Sequence, residues 1–127
     1  MKNYKQDVPF ERQMEILRDI EYVDAIPVTY SPDTDPAALR GFMAQFGISP
    51  GTVVLDTYSQ PRFAKGTLTS RDAGLRREFI EKGKAAMDFC HDIGGVDVML
   101  WLAHDGYDYP FEDDYAARYG WLVEGLR

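Results

Sequence analysis

The sequence predicts an α/β fold with parallel strands, and three observations carry that expectation. Short apolar, β-branched runs alternate with amphipathic helical stretches. The intervals between the runs suit strand–helix–strand units, whose crossovers are almost always right-handed. The 127 residues, 45% of them hydrophobic, suffice for one domain with a sizeable core, so residues 1–127 are read as a single domain.

In chain order, a first helix follows Asp7, where Phe10, Met14 and Leu17 recur on one face. Val23 to Tyr30 reads as a short strand. Pro27 cannot donate a ladder hydrogen bond, which points to an edge position or a bulge. Asp35-Pro36 is a helix-start signal, an acidic cap followed by proline at the first helical position; Leu39, Phe42, Met43 and Phe46 then form a stripe ending at Gly47. After a Ser49-Pro50-Gly51 turn, Thr52 to Tyr58 is β-branched and apolar enough for a buried parallel strand. A loop runs from Ser59 to Thr69. Thr69 and Asp72 have capping-box-like spacing, and Leu75, Phe79, Met87 and Cys90 fall on one face of a long helix closed by Gly94-Gly95. Val96 to Leu102 is the third strand. A final helix from about Asp113 carries Tyr115, Tyr119, Leu122 and Leu126 on one side.

Three such units make an arc. A closed eight-stranded barrel takes about 250 residues, so the expected architecture is a partial TIM barrel of about three βα units with flanking helices. A small open sheet is the alternative.

Composition narrows the partners. The net charge of −7, from 21 acidic and 14 basic residues, disfavours nucleic acid and anionic membrane surfaces, both of which demand clustered Lys and Arg. No run approaches the roughly 18 apolar residues of a membrane span. Met1 to Glu15 lacks the apolar core of a cleavable signal, and a single cysteine forms no internal disulfide, so a soluble, reduced, cytoplasmic protein is expected.

Functional groups of parallel α/β folds lie at the carboxyl ends of the strands. Those ends carry Tyr30, Ser31 and Asp33; then Asp56, Tyr58 and Ser59; then Trp101, His104 and Asp105. An imidazole titrates near neutrality, so His104 suits proton transfer with a substrate hydroxyl, its tautomer held by Asp105 or by Asp56. The same Asp105-Gly106 pair also fits a plain tight turn. Trp101, Tyr107, Tyr109 and Phe111 offer flat apolar faces on which a sugar ring stacks; packing beneath the final helix is the competing use, favoured for Phe111. Asp108, Glu112, Asp113 and Asp114 are expected to cap that helix rather than bind metal. Cys90 is read as core, and His91 with Asp92 as a solvated helix end. There is no GxSxG, CxxC, HExxH or phosphate-binding glycine loop.

Two segments resemble the N-terminal part of the xylose-isomerase-like TIM-barrel sugar isomerases and epimerases, the group that includes L-rhamnose-isomerase-type enzymes. Phe63-Ala64-Lys65-Gly66-Thr67-Leu68-Thr69-Ser70, running into Arg76-Arg77-Glu78, is similar to the loop and helix start after that family's second strand. Leu100-Trp101-Leu102-Ala103-His104-Asp105-Gly106-Tyr107-Asp108-Tyr109-Pro110-Phe111 is similar to its third-strand W-x-x-x-D-G stretch. The resemblance implies a divalent metal, Mn²⁺ or Co²⁺, and reversible aldose–ketose interconversion by proton or hydride shift between C1 and C2. It assigns the metal to later strands that have no counterpart here, so no metal ligand is assigned within this chain. His104 and Asp105 then match the substrate-facing contribution of the early strands as catalytic candidates, with Trp101, Asp56, Tyr58 and Tyr30 as sugar-binding candidates. The expectation is a sugar-isomerase-like protein, incomplete by itself and completed by self-association or by a C-terminal half. A non-catalytic carbohydrate- or protein-binding module, or a truncated fragment, is the alternative.

Overall fold

The computed structural model describes residues 8–102, 109 and 111–127. Its elements run α1 (Phe10–Arg18), β1 (Ala25–Thr29), α2 (Pro36–Ala44), β2 (Ser49–Val54), α3 (Ala73–Ile93), β3 (Val98–Met99) and α4 (Tyr115–Gly125). The chain is α/β, with three parallel strands in one sheet of order β1-β2-β3 and helices between them. It divides into two compact units: Met1–Val54 with Ala86–Met99, and Leu55–Ala85 with Leu100–Arg127. No described helix is long and apolar enough to cross a membrane.

The first unit holds the sheet. β1 alternates exposed and buried positions, with Ile26 and Val28 inward and Pro27 outward, as a strand with one covered face must. The register slips across Pro27: Ile26 pairs with Pro50 but Val28 pairs with Val53, so β2 advances three residues while β1 advances two. Both features anticipated from Pro27, an outer strand and a bulge, are therefore present. The slip also explains why Ser49-Pro50-Gly51 is strand rather than the turn its composition suggests. Proline costs no bond where the ladder is already irregular, and a Cβ on Gly51 would stand 3.2 Å from the Ile26 carbonyl oxygen, so glycine permits the close approach.

β2 ends at Val54, four residues short of Tyr58. β3 is shorter still than the run from Val96 to Leu102, because its partners on β2 are Val53 and Val54 and no β2 residue remains opposite position 100. Around the sheet, Met14, Met43, Ile48, Val53, Ala86, Phe89 and Ile93 are buried. α2 begins as the sequence predicts, with the Asp35 carboxylate accepting from the Ala37 and Ala38 amides at 2.9 and 3.2 Å. It closes with Gly47 at φ +69, where the Ile48 amide turns back to the Met43 carbonyl.

In the second unit, Asp72 rather than Thr69 caps α3: its carboxylate accepts from the Gly74 amide at 2.6 Å. Thr69 is buried and its hydroxyl accepts from Arg118. Phe63, in a 3-10 turn over Pro61–Phe63, meets Phe79 edge-on at 6.0 Å. The α3 stripe runs through Phe79, Ala86, Phe89 and Ile93, while Met87 is exposed. α4 also differs from its reading. Tyr115, Tyr119 and Leu126 are exposed, and its buried residue is Arg118. An ion-pair cluster decides that orientation: Arg118 and Arg71 both reach the Asp113 carboxylate, and Arg118 also donates to the Lys65 carbonyl at 3.0 Å and the Thr69 hydroxyl at 3.2 Å.

Candidate functional site

The candidate site is built where the chain leaves β2. Leu55 and Thr57 are buried while Tyr58 points outward, an alternation that continues the strand beyond its last ladder bond. Asp56 folds the following turn: its carboxylate accepts from the Ser59 amide at 3.0 Å and from the Ser59 hydroxyl, the local bonding that makes aspartate a turn residue. The Asp56 carbonyl receives two side-chain donors, the Gln60 amide at 2.6 Å and the Lys82 ammonium at 3.3 Å.

Tyr58 is thereby held upright, and its ring stacks on Trp101 with centroids 6.4 Å apart and planes 15° from parallel. Both rings remain open to solvent, at 67% and 60% exposure. An exposed pair of parallel rings is an uncommon use of large apolar surface, because water covers what the core would otherwise bury. It supplies a flat apolar face edged by a phenol, matching a ligand with both apolar C–H faces and hydroxyls.

Behind the turn, the Phe63 ring carries Arg62 at 4.9 Å from its centroid and Lys82 at 5.9 Å. Arg62 is ion-paired with Glu78. Partial burial pushes the Lys82 ammonium below the usual lysine range, and the nearby Arg62 charge adds to this; Asp56 and Glu78 oppose both.

The candidates read from sequence thus fall into distinct situations. Tyr58 and Trp101 come together. Asp56 stands beside them with its carboxylate engaged by Ser59. Tyr30 belongs to the first unit, where its amide donates to the Val54 carbonyl at 2.9 Å and its ring meets Phe89 edge-on at 5.5 Å. Ser31 and Asp33 are bonded to each other in the turn before α2. His104 and Asp105 lie outside the described residues, with Tyr107 and Asp108.

Of the other aromatics, Tyr109 is exposed and Phe111 fully so, at φ +72; Phe111 does not pack beneath α4. Among the acids, Asp114 caps α4 through the Ala117 amide at 3.0 Å, as expected, and Glu112 accepts from the Tyr109 amide. Asp113 does not cap. Burial would raise its carboxyl, but hydrogen bonds from Arg71, Arg118 and the Asp114 amide, with the Arg118 charge, hold it below the usual carboxylate range.

Lys82 is the residue that sequence reading passed over. Its signal was present: position 82 falls between Phe79 and Ala86 on the helix's apolar stripe, where a lone lysine is out of place. Among the described residues no group of three or more His, Cys, Asp or Glu side chains gathers as a metal site. The described residues therefore do not furnish the ligand set that the implied Mn²⁺ or Co²⁺ requires.

The fold and this site define a parallel α/β protein presenting an exposed aromatic platform at a strand exit. No family model matches the chain. Over 98 residues it is 24% identical to a probable sugar isomerase of Mesorhizobium japonicum, a match that covers 73% of this chain and 23% of that protein. The chain thus spans under a quarter of that relative's length.

Proposed function

We propose that this chain is part of a sugar isomerase or epimerase and contributes the aromatic face that receives the sugar. The observation that carries the reading is the open, near-parallel Tyr58–Trp101 pair. Pyranose and open-chain sugars present C–H faces to such rings and hydroxyls to their edges. Similarity to a probable sugar isomerase supports the substrate class. In this reading Asp56 and Ser59 fix the turn that presents Tyr58. His104 moves a proton to or from a sugar hydroxyl, and Asp105 or another carboxylate holds its tautomer. The reaction class is aldose–ketose interconversion between C1 and C2 in a metal-dependent, xylose-isomerase-like barrel of cytoplasmic setting. β1 and β3 are the outer strands of the sheet, which supports pairing with further strands, from a second copy or from additional βα units.

The test is conversion of a panel of aldoses and ketoses by metal-stripped protein, with and without Mn²⁺ or Co²⁺, with mass in solution measured by light scattering. Metal-dependent conversion that His104→Ala abolishes at an unchanged unfolding midpoint is the expected result. No conversion by a well-folded monomer would assign the chemistry to strands this chain does not supply, whereas no conversion by a well-folded self-associated protein, with metal present, would overturn the enzymatic reading. The platform needs no reacting group to hold a sugar, which favours carbohydrate binding without turnover as the second reading.

A further inference from the structure

We propose that Lys82 is a positioning residue for the Tyr58–Trp101 platform, acting through the carbonyl of Asp56. The inference rests on the reading of that pair as the sugar-receiving face, and it deepens it. Tyr58 lies inside the turn that starts at Asp56. The contacts at the start of that turn include Asp56 to Ser59, Gln60 to the Asp56 carbonyl at 2.6 Å, and Lys82 to the same carbonyl at 3.3 Å. The first two are internal to the turn. Lys82 ties it to α3, and it carries charge, which strengthens a hydrogen bond to a carbonyl.

Stability alone does not account for a lysine here. Its position on the apolar stripe and its closeness to Arg62 both work against the ammonium, as the downward displacement of its pKa records. The Asp56 carbonyl keeps the Gln60 donor when Lys82 is removed, so no buried acceptor is orphaned. An apolar side chain at position 82 would extend the stripe of Phe79 and Ala86. Removing the ammonium should therefore leave the fold intact and loosen the aromatic turn.

The experiment uses a Trp121→Phe background, which leaves Trp101 as the sole tryptophan of the two in the chain. Lys82→Met, Lys82→Gln and Lys82→Arg are compared by near-UV circular dichroism of the stacked pair, acrylamide quenching of Trp101, and urea unfolding. In Lys82→Met and Lys82→Gln the urea midpoint holds, the stacking signal weakens, and quenching of Trp101 rises, by less than about twofold because the ring is already 60% exposed. Lys82→Arg restores the signal. An unchanged Trp101 signal in both variants would overturn the proposal. So would unfolding of both, or a loss that Lys82→Arg does not rescue, since a purely structural lysine predicts those results. These readouts need no sugar. A wild-type protein that responds to no aldose or ketose would sink the carbohydrate reading while the Lys82 result stood.

Discussion

Replacing Arg118 by methionine removes a guanidinium that is only 3% exposed while leaving a side chain of similar length. Two uncharged acceptors lose the contact with this guanidinium: the Lys65 carbonyl at 3.0 Å, in a part-buried bond, and the buried Thr69 hydroxyl at 3.2 Å. Each buried polar group left unmatched costs about 1–3 kcal/mol. Of its two arginines Asp113 keeps only the exposed Arg71, beside the Asp114 amide at 2.9 Å, which adds to the loss. The buried Thr69 contact alone sets a destabilisation of at least about 1 kcal/mol, a sizeable share of the roughly 5–15 kcal/mol available to a folded domain. Urea unfolding followed by far-UV circular dichroism measures it as a fall in midpoint at unchanged slope. The control is Arg12→Ala, which breaks an exposed helical pair with Glu15 at 2.6 Å and should cost no more than about 0.5 kcal/mol. If Arg118→Met matches that control, the buried cluster does not hold the 65–70 loop to α4.

The remaining expectations concern pH, backbone strain and the thiol. Asp113 has a folded pKa below its ordinary 3.8, so it contributes stability that is fully present above that value and is lost as pH falls through the folded pKa. Asp113→Asn should therefore be less stable than wild type near neutrality, with the difference between their urea midpoints narrowing below pH 3.8; a constant difference would contradict the cluster's charge. Gly66→Ala forces φ +128 on a residue with a side chain and sets its Cβ 2.8 Å from the Thr69 hydroxyl, a strain of about 1–3 kcal/mol that a thermal melt will show as a lower Tm. Burial, then the Asp97 charge, pushes the Cys90 thiol up, so native protein should react with a thiol reagent at pH 8 far more slowly than urea-unfolded protein.

Local chemistry was legible in the sequence and tertiary chemistry was not. Asp35-Pro36 marked α2 because a cap and its amides lie within three residues. Pro27 marked an outer strand and the point where its pairing turns irregular, the extra residue falling on β2, because its missing donor matters wherever it sits. The turn-like Ser49-Pro50-Gly51 became strand because pairing with β1 tolerates it, and β3 stopped early because β2 stops first; neither fact is visible in the segment itself. The stripe of Tyr115, Tyr119, Leu122 and Leu126 reads as the core face of α4, but only Leu122 of the four is half-buried, because the buried Arg118 sets the orientation. Strand-end position singles out Tyr58 and Trp101 as candidates, but their stacking joins residues 43 apart in sequence only through the fold.

The most direct test of the central claim is titration of the Trp121→Phe protein with aldoses and ketoses, followed by Trp101 fluorescence. A saturable change is expected, which Tyr58→Ala weakens by about two- to tenfold, the loss that follows when one ring of a stacking platform goes. A Trp101 signal that no sugar moves, or one that Tyr58→Ala leaves as it was, would contradict it.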